Sequence, residues 1–365
     1  MLIRFKVSFE TKVLFASSKE EVEAFFSSIL QEGFHKIALV VDETVHTLFQ
    51  EMIAGLLPSS LYLLIVVPSG EKAKSRSIKE NIENQMLEEG FGRDSCLIAI
   101  GGGATLDLGG FVAATYARGI PFFSVPTTFL AMVDACLGRK TGLNALHIKN
   151  CIGSVYPAKR ILISLGWLSH LPKREYNSAI AEMIKYSLIA DRSLFFLLKE
   201  HHLRWKEKDP SFLLELIRQG LLIKKGIFEQ DPFETGLRRI LNFGHTIGHA
   251  LESLFSFTYL HGEAVAIGLY IESFLSTRFA RLSGEELHLI QELLMLYECP
   301  LLPKDPIILS RLQSFLEKDK KASKQTPRFV LLDSIGAACE SEGQFCQEVS
   351  TAALEEAFAQ ATKGP

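Results

Sequence analysis

The sequence predicts an α/β domain over residues 1–166 followed by a mainly α-helical domain over residues 167–365. Three observations support this fold class. The chain of 365 residues is longer than one ordinary compact domain. Up to about residue 165, short continuous apolar runs alternate with amphipathic segments, which is typical of a buried, largely parallel sheet flanked by helices. Beyond Trp167, apolar residues recur at helical spacing over long stretches, so we expect helices to dominate the second half.

The strands predicted in the first half are continuous β-branched or aliphatic runs, which suit a sheet covered on both faces. They lie at residues 37–41, 61–67, 96–100, 122–125 and 161–164. The helices predicted in the second half lie at residues 173–189, 211–229, 237–254, 263–279 and 285–296. The charged segment 317–321 is predicted to be a solvated loop, residues 328–332 a short strand, and the segment from about Thr351 a terminal helix.

Composition and charge exclude several classes of protein. Apolar residues make up 47% of the chain and charged residues 22%, the balance of a globular protein with sizeable cores. The net charge of -3 offers no basic surface, so we expect no nucleic-acid partner. The apolar run at 61–67 is too short to span a bilayer, and a signal-peptide pattern is missing. The six cysteines lack CxxC pairing and indicate reduced thiols, so we expect a cytoplasmic protein without membrane association.

A run of three glycines, 101–103, directly follows the predicted strand 96–100 and precedes a helical pattern that begins near Thr105. Glycines at this position allow backbone amides at a helix N-terminus to approach a pyrophosphate. The run does not match the GxGxxG fingerprint, and a simple tight turn is an equal alternative. The segments 68–74 and 126–128 also follow predicted strands, so three loops are expected at the carboxyl edge of the sheet, where parallel sheets bind ligands.

Histidines spaced for a metal site occur in the helical half. His245 and His249 are four residues apart, which places both imidazoles on one helix face. Thr246 stands where a zinc protease of the HExxH type requires glutamate, so a protease is disfavoured. A third histidine, His261, and an upstream carboxylate, Glu182, complete a set typical of a catalytic metal with open positions. The alternative is that these histidines are ordinary polar helix residues.

Taken together, these motifs resemble those of the 3-dehydroquinate synthase family in order and spacing over nearly the whole chain. The resemblance rests on 101–103 with Asp107, 118–119, 126–128, 133–134, 140–141, 149–150, 182–186, 242–249 and 261–263. It implies a Rossmann-like N-terminal domain that holds NAD, a helical C-terminal domain, one active site in the cleft, and a homodimer. It also implies a lyase that converts the sugar acid phosphate 3-deoxy-D-arabino-heptulosonate 7-phosphate into 3-dehydroquinate and phosphate in the shikimate pathway.

The resemblance also implies a role for individual residues. The metal, zinc or cobalt, is expected on Glu182, His245 and His261, which leaves His249 as a substrate-side or proton-transfer residue. Substrate-orienting groups are expected at Asp134, Lys185, Lys224 and Asn242. Phosphate and carboxylate contacts are expected from Arg118 of the neighbouring subunit and from Lys140, Lys149, Asn150, Arg238 and one of Lys320 or Lys321. NAD contacts are expected from Asp42, Glu71, Lys74, Gly102, Gly103, Asp107, Thr127, Thr128 and Leu130.

The family reaction combines transient oxidation by NAD, phosphate elimination, re-reduction and an aldol cyclisation. Three positions depart from the family pattern, namely Arg139 beside Lys140, His170, and the pair 232–233. The alternatives are a related sugar phosphate cyclase, a metal-dependent polyol dehydrogenase, or a non-catalytic nucleotide-binding regulator. A dehydrogenase would produce NADH, whereas a synthase would release phosphate without net reduction of NAD.

Overall fold

A computed structural model of the protein describes residues 10–146, 148–256, 258–304, 309–316 and 327–361. The chain divides into two compact units, Met1–Leu171 and Pro172–Pro365. The first is an α/β unit and the second is mainly helical, so the predicted fold class is confirmed. None of the described helices is long and apolar enough to cross a membrane.

The first unit contains a six-stranded sheet with helices between its strands. The strands of this unit are β1 Lys12–Ala16, β2 Ile37–Asp42, β3 Tyr62–Val67, β4 Cys96–Gly101, β5 Phe122–Pro126, β6 Lys140–Ala145, β7 Ile148–Val155 and β8 Arg160–Ser164. Its helices are α1 Lys19–Leu30, α2 Glu43–Ala54, α3 Arg76–Glu88, α4 Gly103–Thr115 and α5 Phe129–Val133. The main sheet has the order β1-β8-β5-β4-β2-β3, and β6 pairs with β7 in a separate two-stranded sheet.

Every pairing in the main sheet is parallel. Every residue of β2, β4 and β5 is buried, because these are continuous apolar runs in the middle of the sheet. The chain passes from β2 outward to β3 and then returns to the other side of β2 with β4. This reversal places a crevice outside the carboxyl ends of β2 and β4, which is where doubly wound sheets bind ligands.

Two elements of this unit were not predicted. Strand β1 lies at the edge of the sheet and is only partly buried, and its apolar run, residues 13–16, is short. The β6–β7 hairpin is polar and contains Gly142 and Gly153, whose backbones approach each other closely. Strand 37–41, the first that the sequence predicts, is therefore the second in the structure and ends at Asp42, and helix α4 begins at Gly103 rather than near Thr105.

The second unit is built around two buried helices. Its helices are α6 Lys173–Ser178, α7 Ile180–Ile189, α8 Arg192–Glu200, α9 His202–Lys206, α10 Pro210–Gln230, α11 His245–Leu254, α12 His261–Phe279, α13 Gly284–Leu296, α14 Leu309–Leu316 and α15 Thr351–Ala361. The short strands β9 Arg328–Phe329, β10 Leu332–Ser334, β11 Ala337–Ala338 and β12 Gln347–Glu348 form the antiparallel pairs β9–β12 and β10–β11. Every residue of α7 is buried, as are most residues of α12.

Local sequence explains several helix boundaries. Helix α10 begins at Pro210 because the Asp209 carboxylate accepts hydrogen bonds from the next free backbone N–H groups. The single helix predicted over residues 237–254 is wrong. A 3-10 helix, Leu237–Asn242, ends before Phe243, and α11 starts only after Gly244. Gly244 has a φ of +77°, a conformation that interrupts a right-handed helix and favours glycine.

Candidate metal and nucleotide sites

Three potential metal ligands from three helices meet inside the second unit. Glu182 lies on α7 and is completely buried, while His245 and His261 are the first residues of α11 and α12. The Nε2 atom of His245 lies 3.3 Å from Oε1 of Glu182, and the Nε2 atom of His261 lies 3.5 Å from the same oxygen. The ligand atoms of this trio are within 4.8 Å of one another.

The second ring nitrogen of each histidine has its own partner. Nδ1 of His245 lies 3.1 Å from the backbone oxygen of Phe243, and Nδ1 of His261 lies 3.5 Å from Oε2 of the buried Glu252. Each partner is a hydrogen-bond acceptor, so each ring can donate from Nδ1 while its Nε2 atom faces Glu182. Metal-binding histidines are commonly oriented in this way.

The charges around Glu182 favour ionisation despite its burial. Desolvation disfavours the carboxylate, but Lys185 and then His245 outweigh it and hold the pKa of Glu182 well below its usual range. Burial, with Lys185 nearby, lowers the pKa of His245. Burial also opposes the charging of His261, yet Glu252 and Glu182 raise its pKa to about 10.

This trio fits a divalent cation. Within the described part of the chain, the two buried oxygens of Glu182 have ion-pair contacts with Lys185 and the two histidines but accept no hydrogen bond of good geometry. Buried oxygens without such partners are rare in proteins unless an ion or water completes their contacts. One carboxylate and two imidazoles are the ligand set of catalytic zinc sites that keep a position open for substrate.

His249 lies beside the trio, one helical turn after His245. Its ring centroid is 5.3 Å from that of His245 and 5.9 Å from that of His261. His249 forms a separate group with Glu252 and His261, and it does not belong to the group that contains Glu182. The pairing suggested by spacing alone, His245 with His249, is therefore not the one that shares Glu182.

A loop held by Asp231 places two further predicted residues. The Asp231 carboxylate accepts backbone hydrogen bonds from Thr235, Gly236 and Arg238, at 3.0, 2.7 and 3.0 Å. The Arg238 guanidinium donates to the backbone oxygen of Pro232 at 2.9 Å. In the same loop Glu234 accepts a 3.2 Å hydrogen bond from Asn242, and the Phe233 side chain is 87% exposed. Residues 232–233, which depart from the family pattern, therefore lie in a loop whose backbone is hydrogen-bonded to Asp231.

We expect Asp231→Asn to destabilise the protein at neutral pH more than at acidic pH. Burial disfavours the Asp231 carboxylate, but the backbone hydrogen bonds outweigh it and lower its pKa to about 2. A lowered pKa stabilises the fold above the unfolded value of about 4, and this contribution disappears as the pH falls toward 2. The difference in free energy of unfolding between wild type and variant, measured by urea titration, should therefore shrink between pH 7 and pH 3. Asp191→Asn is the control, because it removes a carboxylate that caps a different helix, α8. Its loss of stability shows the effect of removing a capping carboxylate outside the loop that contains Arg238.

In the first unit, the ends of β2 and β3 are linked by Asp42. Its Oδ1 atom accepts hydrogen bonds from the backbone of Thr44 at 2.9 Å and of Val45 at 3.3 Å, which caps α2. The Ser69 hydroxyl donates to the same oxygen at 2.7 Å, and the Thr105 hydroxyl lies 3.5 Å from Oδ2. A ribose contact from Asp42 would therefore use a carboxylate that the protein already holds rigidly.

A second network links the loop after β3 to α4 and to the hairpin. The Nζ atom of Lys74, which is only 3% exposed, lies 2.5 Å from Oδ2 of Asp107 and also contacts Oδ1 of Asn150. The side chain of Asn144 donates to Glu71 at 2.5 Å, and its oxygen accepts from the backbone of Asn150 at 2.9 Å. Lys149 lies 3.7 Å from Glu71. Predicted cofactor and substrate residues therefore share one network, and Asn144, which the sequence analysis did not select, connects them.

The glycine turn leaves an uncapped helix end. Gly102 precedes α4 and offers no side chain to its first N–H groups, so these amides suit an anionic group. The buried hydroxyl of Thr127 has no hydrogen-bond partner among the described residues. Thr128 caps α5 by accepting from the backbone of Ala131 at 3.1 Å. A pyrophosphate would satisfy the amides, which fits the predicted dinucleotide.

The remaining predicted residues occupy varied positions. Lys185 and Lys224 are buried on α7 and α10, Leu130 is half-buried on α5, and Asp134 follows α5. Arg118 is exposed at the end of a 3-10 turn, with a φ of +69°. Of the departures, Arg139 lines a small cavity with Asp107 and Lys140, and His170 contacts the ring of Phe49. Lys320 and Lys321 lie outside the described residues.

Comparison with known proteins identifies relatives of both halves of the chain. Residues 64–178 match the family model 3-dehydroquinate synthase N-terminal, and residues 179–322 match 3-dehydroquinate synthase C-terminal. A 3-dehydroquinate synthase from Syntrophotalea carbinolica is 40% identical over 304 residues, which cover 82% of this chain and 84% of the relative. A second, from Streptococcus pyogenes serotype M3, is 38% identical over 322 residues, covering 87% and 89%.

Solved structures share the fold. The 2-epi-5-epi-valiolone synthase of Streptomyces hygroscopicus, determined with NAD+ and Zn2+ bound, is 26% identical, with a TM-score of 0.87 over 100% of this chain and 99% of the other. A 2-deoxy-scyllo-inosose synthase complexed with carbaglucose-6-phosphate, NAD+ and Co2+ is 22% identical, with a TM-score of 0.83 and 96% coverage of both chains.

Proposed function

The chain belongs to the 3-dehydroquinate synthase family, and we propose that it catalyses conversion of 3-deoxy-D-arabino-heptulosonate 7-phosphate into 3-dehydroquinate and phosphate. This is a carbon–oxygen lyase reaction of the shikimate pathway. The observation that carries the proposal is the trio of Glu182, His245 and His261, grouped around a buried carboxylate in a chain that matches both family models. A metal with an open coordination position suits a substrate that offers adjacent oxygens.

The proposal includes two cofactors. Glu182, His245 and His261 would hold zinc or cobalt, while the uncapped amides of α4, with Thr127 and Asp42, would hold NAD. When bound, NAD supplies reversible hydride acceptance and the metal supplies Lewis-acid polarisation of a substrate oxygen. The other predicted NAD contacts are Glu71, Lys74, Gly102, Gly103, Asp107, Thr128 and Leu130.

The protein side chains would bind and orient an anionic substrate. Arg238 and Lys224 are buried cations, and such groups form strong hydrogen bonds to carboxylate or phosphate oxygens where water is excluded. Asn242, held by Glu234, can fix a substrate hydroxyl. His249 lies beside the trio and can accept or donate a proton there. Lys140, Lys149, Asn150, Asp134 and Lys185 complete the proposed substrate site, together with Lys320 or Lys321.

Phosphate release tests the reaction directly. Purified protein with NAD, zinc and the heptulosonate phosphate should release inorganic phosphate while absorbance at the NADH wavelength shows no net accumulation. A metal-dependent polyol dehydrogenase would instead accumulate NADH in proportion to substrate consumed. NAD binding with neither phosphate release nor NADH would favour the non-catalytic regulator. Phosphate release from a different sugar phosphate, with none from the heptulosonate phosphate, would favour a related cyclase.

We propose further that the protein is a homodimer in which Arg118 reaches the phosphate site of the partner subunit. Arg118 is exposed, and its guanidinium can bind phosphate through two hydrogen bonds. If Arg118 acts in trans, a mixed dimer of Arg118→Ala and Lys224→Ala subunits contains one doubly damaged site and one intact site. Random re-pairing of equal amounts makes half of the dimers mixed, so about a quarter of wild-type activity should return.

Each parent variant subjected to the same exchange procedure alone provides the control. Native mass spectrometry must show mixed dimers before activity is compared. If exchange is complete and no activity returns, Arg118 acts within its own subunit or only stabilises the end of its 3-10 turn.

The six cysteines are free thiols, which supports a further proposal that the protein works in a reducing compartment such as the cytoplasm.

A further inference from the structure

The carboxylate of Glu272 lies completely buried on α12, at the start of the neighbouring helix α11. Its Oε2 atom accepts a 2.7 Å hydrogen bond from the backbone N–H of Gly244, and its Oε1 atom accepts a 3.4 Å hydrogen bond from that of Ile247. These donors belong to the N-cap residue and the third residue of α11. A buried carboxylate therefore caps a helix that is not its own.

This cap is needed because α11 cannot supply one. The N-cap position normally holds a serine, threonine, aspartate or asparagine whose side chain accepts from the first turn. Gly244 has no side chain, and its φ of +77° favours glycine. A Cβ atom there would lie 2.7 Å from the Leu269 side chain and 2.9 Å from the Leu269 backbone. The close crossing of α11 and α12 thus excludes a local cap, and Glu272 replaces it from α12.

The capped turn carries a metal ligand. His245 is the first residue of α11 and lies between the two residues whose N–H groups Glu272 accepts. On α12, His261 precedes Glu272 by eleven residues, about three helical turns, so both side chains lie on the same face of the helix. Helix α12 therefore supplies one ligand directly and holds the backbone that presents another.

We propose that Glu272 is a positioning residue for the metal site: its carboxylate fixes the first turn of α11 so that the His245 imidazole faces Glu182. This inference rests on the proposed metal site. A carboxylate is required because both of its oxygens accept from backbone donors and because negative charge is favourable at a helix N-terminus. An amide at the same position can accept at one oxygen only, and its NH2 group would face the second N–H.

The test compares zinc affinity and the visible absorption spectrum of the cobalt form in the full-length protein. Glu272→Gln preserves volume, so it should fold, yet it should weaken zinc binding by about 10-fold to 100-fold, the range for residues that orient metal ligands. The cobalt spectrum, which reports ligand geometry, should change as well. Glu272→Ala should weaken zinc binding further. If that variant fails to fold, the result for Glu272→Gln alone tests the proposal.

Ser276→Ala is the matched control. Ser276 is fully buried one turn further along α12, and its hydroxyl oxygen accepts a 3.0 Å hydrogen bond from the backbone of Leu332. Its loss should lower the melting temperature without changing zinc affinity or the cobalt spectrum. Unchanged zinc binding and spectrum in Glu272→Gln, or equal losses in Glu272→Gln and Ser276→Ala, would overturn the positioning role. Wild-type protein that binds no zinc would instead overturn the proposed metal site, and the inference with it.

Discussion

Glu182→Gln should abolish tight metal binding and phosphate release together, although it preserves the shape of the side chain. The substitution removes the only carboxylate of the proposed ligand trio and replaces it with a weakly coordinating amide. It also leaves the charge of Lys185 buried without its ion-pair partner. Breaking a buried pair in this way costs about 3–5 kcal/mol of stability. The loss of zinc affinity should exceed the roughly 10-fold to 100-fold effect of a residue outside the ligand set.

Elemental analysis after dialysis, titration with a competing chelator and urea unfolding measure the three effects separately. Glu285→Gln is the control, because it makes the same chemical change at an exposed position on α13. Its metal content, turnover and stability should match those of wild type. Full zinc content in the Glu182 variant would remove this residue from the ligand set, whatever the effect on turnover.

Lys224→Ala should reduce turnover by about 10²–10³-fold, the range for removal of one preorganised group that stabilises developing charge. Lys224 is buried on α10, so its ammonium can act on a substrate anion where water screens it little. The metal trio lies on other helices, and the predicted NAD contacts lie in the first unit. We therefore expect zinc content and NAD affinity to be unchanged.

The neighbouring residue provides the control for this prediction. Lys225 lies on the same helix but is exposed and pairs with Glu229 at 2.8 Å. Lys225→Ala should retain wild-type turnover, because an exposed pair within a helix contributes little. Turnover is followed by phosphate release, and NAD affinity by fluorescence titration. A parallel fall in turnover and NAD affinity in Lys224→Ala would show that the residue serves the cofactor or the fold, not the substrate.

The sequence by itself predicted five of the six strands of the main sheet and the long helices α10, α12 and α13 of the second unit. Runs such as 96–100 are apolar throughout because both faces of the sheet are covered, and this pattern is local. The start of the long helix Pro210–Gln230 can be predicted from its capping residue Asp209 and from Pro210. Local sequence patterns did not predict β1, which is half-exposed at a sheet edge, or the polar hairpin of β6 and β7.

Sequence spacing also selected residue types that suit a metal site without deciding their arrangement. His245 and His249 lie one turn apart on α11, and spacing alone cannot show which of them faces a carboxylate on another helix. The family resemblance implied His245, and the tertiary structure places it beside Glu182: Gly244 breaks the predicted helix where α12 crosses it, and Glu272 caps the new start. The contact joins residues 28 positions apart in the chain. Such long-range packing has no local sequence period, so the orientation of His245 toward Glu182 follows from the folded core and not from the motif.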